Sequence, residues 1–187
     1  GGYFYNTNDI LTALGVGGAV ENAVSQGRGG LGTNILFAAG NSRTEGQDAN
    51  YHSYTSSRYT ITVAAVSHTG DISYYSTPGA PVLVGAPSSS YGGGIWTTDR
   101  VGSAGYSGDD YTGSFGGTSA ATPITAGVVA LMLEANPNLG YRDVQEILAY
   151  SARQVDASDP GWAWNGADNW NGGALHVSHD FGFGLVD

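Results

Sequence analysis

The sequence predicts an α/β fold, a parallel sheet with helices on both faces. Three observations carry this expectation. Short runs rich in valine, isoleucine and alanine at 35–39, 60–66 and 82–84 are bounded by glycine, serine and asparagine, as strands are. The run at 60–66 holds Ile61, Val63 and Val66 with little alternation, which suits a strand buried on both faces, as parallel strands are. Segments with apolar residues at helical spacing flank these runs, so strands and helices alternate along the chain.

Taken in order, residues 9–26 place Ile10, Leu11, Leu14, Val20 and Val24 on one stripe and predict a glycine-rich helix. Gly27-Arg28-Gly29-Gly30-Leu31-Gly32 matches G-x-G-x-x-G, but it follows a helix and precedes a strand, the reverse of a dinucleotide site, and reads as a loop. The strand at 35–39 ends in Ala38-Ala39-Gly40-Asn41. After the strands at 60–66 and 82–84, Gly85-Ala86-Pro87, three serines and the glycines at 92–94 mark a long loop. Gly117-Thr118-Ser119-Ala120-Ala121-Thr122-Pro123 opens a helix whose residues Ile124, Ala126, Val128, Val129, Leu131, Met132 and Leu133 are apolar on every side, the mark of a core helix. After the Pro137 turn, residues 141–153 predict a second helix that packs through Val144, Ile147, Leu148 and Tyr150.

Composition narrows the partners. The basic residues are six arginines, and sixteen acidic residues give a net charge of -10, which disfavours nucleic acid and anionic membranes as partners, since both need clustered cations. There is no cysteine and hence no disulfide, and no apolar run is expected to reach the roughly 18 residues of a membrane span. No repeat or linker divides the 187 residues, which read as one unit.

The chemistry is concentrated in two places. Ser119, on the first turn of a core helix, has a free N–H beside its hydroxyl, and the helix N-terminus favours a developing negative charge there. Gly116 and Gly117 let a substrate approach closely, and Thr118 or Ser119 is the expected N-cap. Asn41 offers a carboxamide donor from a separate element, as an oxyanion site for acyl transfer requires. Taken alone, each motif also has a plain structural reading: an N-cap for Ser119 and a turn residue for Asn41.

Together these residues resemble the subtilisin superfamily, most closely its kexin and furin branch. The similar stretches run in order along nearly the whole chain: residues 24–32, Ala39-Gly40-Asn41, residues 59–63, 117–123, 133–139 with 142–145, and Val177-Ser178-His179 with 181–187. The resemblance implies a subtilisin-like three-layer α/β domain acting as a serine endopeptidase on protein or peptide substrates. Ser119 is then the nucleophile, Asn41 the oxyanion amide, and Ala38, Ala39 and Gly40 one wall of the S1 pocket. Subtilisins order their triad Asp, His, Ser, and no histidine precedes Asn41 here. The chain is thus expected to be the C-terminal portion of a catalytic domain, residues 1–187, with the catalytic Asp and His upstream of residue 1. That missing segment is its first partner, and without it the chain is expected not to fold stably. His52, His68, His176 and His179 read as surface or packing residues.

Ungapped alignment puts His52 where the branch has an S1 aspartate, and Gln47 and Thr77 where it has calcium carboxylates. Neutral oxygens are poorer calcium ligands, so the calcium site beside S1 is expected to be lost. No cofactor is required for the chemistry, and structural calcium elsewhere stays open. A dibasic preference also stays open, since Asp48 is one residue from Gln47 and Asp9 is a further carboxylate. Asp109-Asp110, Asp156 and Asp159 read as turn residues, and the tail with Trp162, Trp164 and Trp170 as a packed surface loop rather than a sugar platform. The lack of cysteine, set against disulfide-bearing eukaryotic relatives, points to a secreted or extracellular bacterial enzyme. Two other classes remain: a pseudoprotease that keeps the cleft as a peptide-binding module, and an esterase, disfavoured because G-x-S-x-G is incomplete.

Overall fold

The β-branched residues and alanines of β2 (Thr60–Val66) suit a strand covered on both faces. In the computed structural model, which describes residues 16–166 and 174–187, all seven are buried. β1 (Ile35–Ala38) pairs parallel with one edge of β2, Ile35 opposite Thr60 and Ala38 opposite Val63. β3 (Val82–Pro87) pairs parallel with the other edge, giving the order β1-β2-β3. α1 (Val16–Gln26) precedes the sheet; the first part of the helix expected at 9–26, with Ile10, Leu11 and Leu14, lies outside the described residues.

β3 is longer than the sequence suggests. Gly85, Ala86 and Pro87 continue the strand opposite Ala64, Ala65 and Val66 instead of opening a loop. A glycine serves at position 85 because a Cβ there would lie 2.6 Å from Val66 Cγ2, and proline is tolerated at a strand end. The glycine- and serine-rich stretch beyond it also carries an unforeseen hairpin, β4 (Ile95–Thr98) antiparallel to β5 (Tyr111–Phe115). Its signal is weak because Trp96 and Tyr111 face outward and no alternating apolar face is buried. β5 runs directly into Gly116-Gly117, and thence into α2 (Thr118–Ala135).

α2 packs across all three strands, and α3 (Tyr141–Ser151) packs on β3. Ile61, Val63 and Ala65 of β2, with Val84 and Ala86 of β3, form one core with Ala121 and Val129 of α2 and Val144 and Leu148 of α3. The opposite face of the sheet carries Ala39, Ala64 and Val82, with Ile72 packed on them. α2 is not covered on every side: Leu131 is 66% exposed, although the helix is long and apolar enough, by length and composition only, to cross a membrane. Its packing on the sheet is that of a core helix.

α3 ends at Ser151, short of 153, because Arg153 leaves the helix to exchange backbone hydrogen bonds with Leu185 at 2.8 and 2.9 Å. Its packing side is Val144, Leu148 and Ala149, while Ile147 and Tyr150 lie on the exposed flank. The C-terminal tail lies along β3, with Phe183 N–H donating to the Leu83 carbonyl and Val186 N–H to that of Gly85. Trp162 stacks on the buried Phe181 and donates to the carbonyls of Val155 and Asp156, so it is packed; Trp164 is exposed and Trp170 lies outside the described residues. A short pair, β6 (Ala163–Trp164) with β7 (His176–Val177), closes the described chain.

Leu148→Ala, at a fully buried site, is expected to cost about 2–5 kcal/mol in urea unfolding, whereas Ile147→Ala on the exposed flank costs less. Equal effects would mean that α3 packs through a different face.

Candidate active site

The C-terminal end of β1 and the N-terminus of α2 meet at one place, as ligand sites in parallel α/β sheets do at the carboxyl ends of strands. β1 delivers Asn41 on a turn that needs glycine. Gly40 has φ of 113°, and a Cβ on it would lie 2.9 Å from Thr77 Oγ1. Thr77, itself buried, holds the turn on both sides: its N–H donates to Gly40 O at 2.9 Å and its hydroxyl accepts the Ser42 N–H at 2.9 Å.

α2 begins with Thr118, and its N-cap is Gly117, with φ of 77°, rather than Thr118 or Ser119. The reason is where the threonine hydroxyl goes. Buried Thr118 donates from both its N–H and its Oγ1 to Asn41 Oδ1, each at 2.9 Å, and its hydroxyl accepts the Gly40 N–H at 3.3 Å. Two donors on Oδ1 settle which end of the carboxamide is oxygen, so Nδ2 is the end left to donate. That Nδ2 lies 3.0 Å from the position a Gly117 Cβ would take, beside the start of the helix.

Ser119 is exposed at the second helical position. Its N–H falls in the first turn, where the helix supplies no acceptor, and Pro123, four residues on, has no N–H to offer the Ser119 carbonyl. The site therefore presents a hydroxyl, a free N–H and a primary amide donor with the helix dipole behind them. This arrangement can stabilise a carbonyl oxygen that becomes negatively charged.

The remaining residues fall as follows. Ala38 and Gly40 are half-buried, while the Ala39 side chain packs in the core, leaving its backbone as the part that can face a cleft. His52 is buried in the loop after Asn41, its carbonyl accepting the hydroxyls of Thr55 and Ser56. Burial pushes its imidazole below its ordinary value of 6.5, against the opposing pull of Asp48. The Thr77 hydroxyl accepts the Ser42 N–H, and Asp48 caps the short turn Ala49–Tyr51 by accepting from Asn50. Asp110, Asp156 and Asp159 accept from Gly102, Ser158 and Gly161, as turn residues do.

Sequence reasoning missed the supports of the site. Tyr75 Oη and Ser89 Oγ accept the Gly117 N–H at 3.1 and 3.2 Å, and Ser88 Oγ donates to the Gly117 carbonyl at 2.6 Å. The available signal was the Gly116-Gly117 pair: a Cβ on Gly116 would collide with the Ser89 side chain.

The chain matches the model of the subtilase family over residues 9–184. It is 35% identical over 175 residues to furin of Mus musculus and 37% identical over 171 residues to kexin of Saccharomyces cerevisiae, in each case over 90% of this chain. It spans about a fifth of those relatives, 20% of furin and 19% of kexin. Among solved structures, the serine protease of Aeromonas sobria in complex with its chaperone superposes with a TM-score of 0.84 at 25% identity, over 97% of this chain and 38% of that one. A cold-adapted subtilisin-like serine proteinase superposes at 0.57 with 27% identity, over 83% and 47%.

Gly117→Ala is expected to cost about 1–3 kcal/mol in denaturant unfolding, because alanine resists the positive φ and crowds Asn41 Nδ2. A neutral substitution would mean that the N-cap relaxes freely. For His52, the folded imidazole protonates at lower pH than the unfolded one, so the unfolded state binds more protons and stability falls as pH drops below 6.5. His52→Gln should flatten that slope in urea midpoints measured between about pH 7.5 and 5.5; an unchanged slope would assign the pH dependence to other groups.

Proposed function

The chain belongs to the subtilase family, and we propose that it is the portion of a serine endopeptidase catalytic domain that carries the nucleophile and the oxyanion hole. The observation that carries this reading is the joint between Asn41 and Thr118, which engages Asn41 Oδ1 and leaves Nδ2 as a donor beside Gly117, two residues before Ser119.

On this reading Ser119 Oγ attacks the carbonyl carbon of a peptide bond as its proton passes to a histidine. The carbonyl oxygen becomes an oxyanion held by the Ser119 N–H and Asn41 Nδ2. Collapse expels the amine, which takes the proton from the histidine, and leaves an acyl ester on Ser119. Water repeats the sequence and frees the acid. The histidine and its orienting aspartate come from residues upstream of Gly1. On this reading the same segment also packs on the exposed flank of α2 around Leu131 and on the edge of β1 that has no strand partner among the described residues. Without it the chain should not melt cooperatively as a monomer.

The backbone of residues 38–40 forms one wall of the P1 pocket. No step runs through calcium, and no dibasic preference is included, since buried His52 and the engaged Thr77 supply no carboxylate. A secreted location is proposed by analogy with the subtilase family.

Treating the protein, with and without its native upstream sequence, with a fluorophosphonate and measuring intact mass tests this reading. One adduct, on Ser119, only when the upstream sequence is present is the expected result. No adduct in either folded sample would replace it with a non-catalytic, peptide-binding role. Asn41→Ala should lower kcat by about 10²–10³, the range found for subtilisin's own oxyanion asparagine, with KM little changed; full activity would remove Asn41 from the mechanism.

A further inference from the structure

We propose that the Tyr75 hydroxyl is a positioning residue for the nucleophile, one end of a brace at residues 75–77 that holds both halves of the oxyanion hole before substrate arrives. The proposal rests on the reading of Ser119 and Asn41 given above.

Tyr75 has a single phenolic proton, and the nearest acceptor for it is the Ser89 carbonyl at 2.7 Å. Its oxygen is then free to accept the Gly117 N–H at 3.1 Å and the Ser89 hydroxyl at 3.0 Å. Ser88 Oγ grips the other end of the same residue through the Gly117 carbonyl. With both its N–H and its carbonyl engaged, Gly117 is held at φ 77° and ψ 171°, and the direction of the N–H groups that follow it is fixed.

Two residues further on, Thr77 bonds Gly40 and Ser42 on either side of Asn41. Between them, the Ser76 hydroxyl accepts the Ala65 N–H at 3.0 Å, anchoring the segment to β2. The carbonyls of Tyr75 and Ser76 accept Arg43 N at 3.1 Å and Arg43 Nε at 2.9 Å, and the Arg43 guanidinium is itself paired with Asp180. A three-residue segment thus touches the residue before the helix and both neighbours of the amide. A hole built this way needs little rearrangement during reaction, which is where electrostatic stabilisation is most effective.

Tyr75→Phe keeps the ring that packs edge-on to Tyr74 and against the core, and removes only the hydroxyl. In the protein with its native upstream sequence, active sites are titrated with fluorophosphonate and turnover of a peptide amide is expressed per titrated site. The expected result is a fall in kcat of about tenfold with KM within about twofold of the parent. A peptide aldehyde, which adds to Ser119, should weaken by a similar factor. Tyr75→Phe with Ser89→Ala, removing both acceptors of the Gly117 N–H, should lose more than the product of the single losses. The proposal is overturned if kcat per titrated site stays within about twofold in the single and double variants, if the change is confined to KM, or if the loss vanishes on correction for titrated sites. A parent protein that neither labels at Ser119 nor cleaves peptide overturns the endopeptidase reading, and this proposal with it.

Discussion

A single oxygen atom, Asn41 Oδ1, ties the end of β1 to the start of α2. It accepts two hydrogen bonds from one residue, the N–H and the hydroxyl of Thr118. An amide free to rotate could turn either end toward a substrate, but one whose oxygen is doubly engaged presents its NH2 group. Each such bond contributes only about 1 kcal/mol net to stability. Their larger effect is geometric, since reversing the carboxamide would break both and set a donor against donors. The helix dipole adds positive potential at the start of α2, where Asn41 Nδ2 lies beside Gly117.

The glycines around this joint are accounted for by what they touch. Gly40 and Gly117 sit at φ of 113° and 77° with neighbours already at contact distance, and Gly116 has no space for a Cβ beside Ser89. Small residues therefore allow polar groups from residues 75–77 and from the serines after β3 to reach the backbone directly. Glycine takes both positive-φ conformations without a steric clash, and the bonds that surround the two positions offset the backbone entropy lost in fixing them, so rigidity at the site and the stability of the fold are coupled. The buried β2 and the α2 and α3 core beneath supply the fixed platform.

Much of this was legible in the sequence, because the strongest signals are local. Thr60–Val66 reads as a buried strand from β-branched residues alone, and the residues from Gly117 to Pro123 read as a helix start from glycine, hydroxyl and proline order. What was not legible depends on distant partners. β3 continues through Gly85 and Pro87 because β2 pairs with it, and the N-cap falls to Gly117 because the Thr118 hydroxyl is drawn to a residue 77 positions away. Ile147 and Tyr150 fit a helical stripe as well as Val144 and Leu148 do, and only the sheet decides which pair is covered. Tyr75, Ser88 and Ser89 carry no motif, because their role is to accept from and donate to backbone that the sequence does not place beside them.

The most direct measurement is the structure of the protein, with its upstream sequence, after inhibition by a peptide boronate that adds to Ser119. The account predicts one boronate oxygen within about 3 Å of both Ser119 N and Asn41 Nδ2, with Asn41 Oδ1 still held by Thr118. An adduct oxygen turned to solvent, or an Asn41 carboxamide released from Thr118, would contradict it.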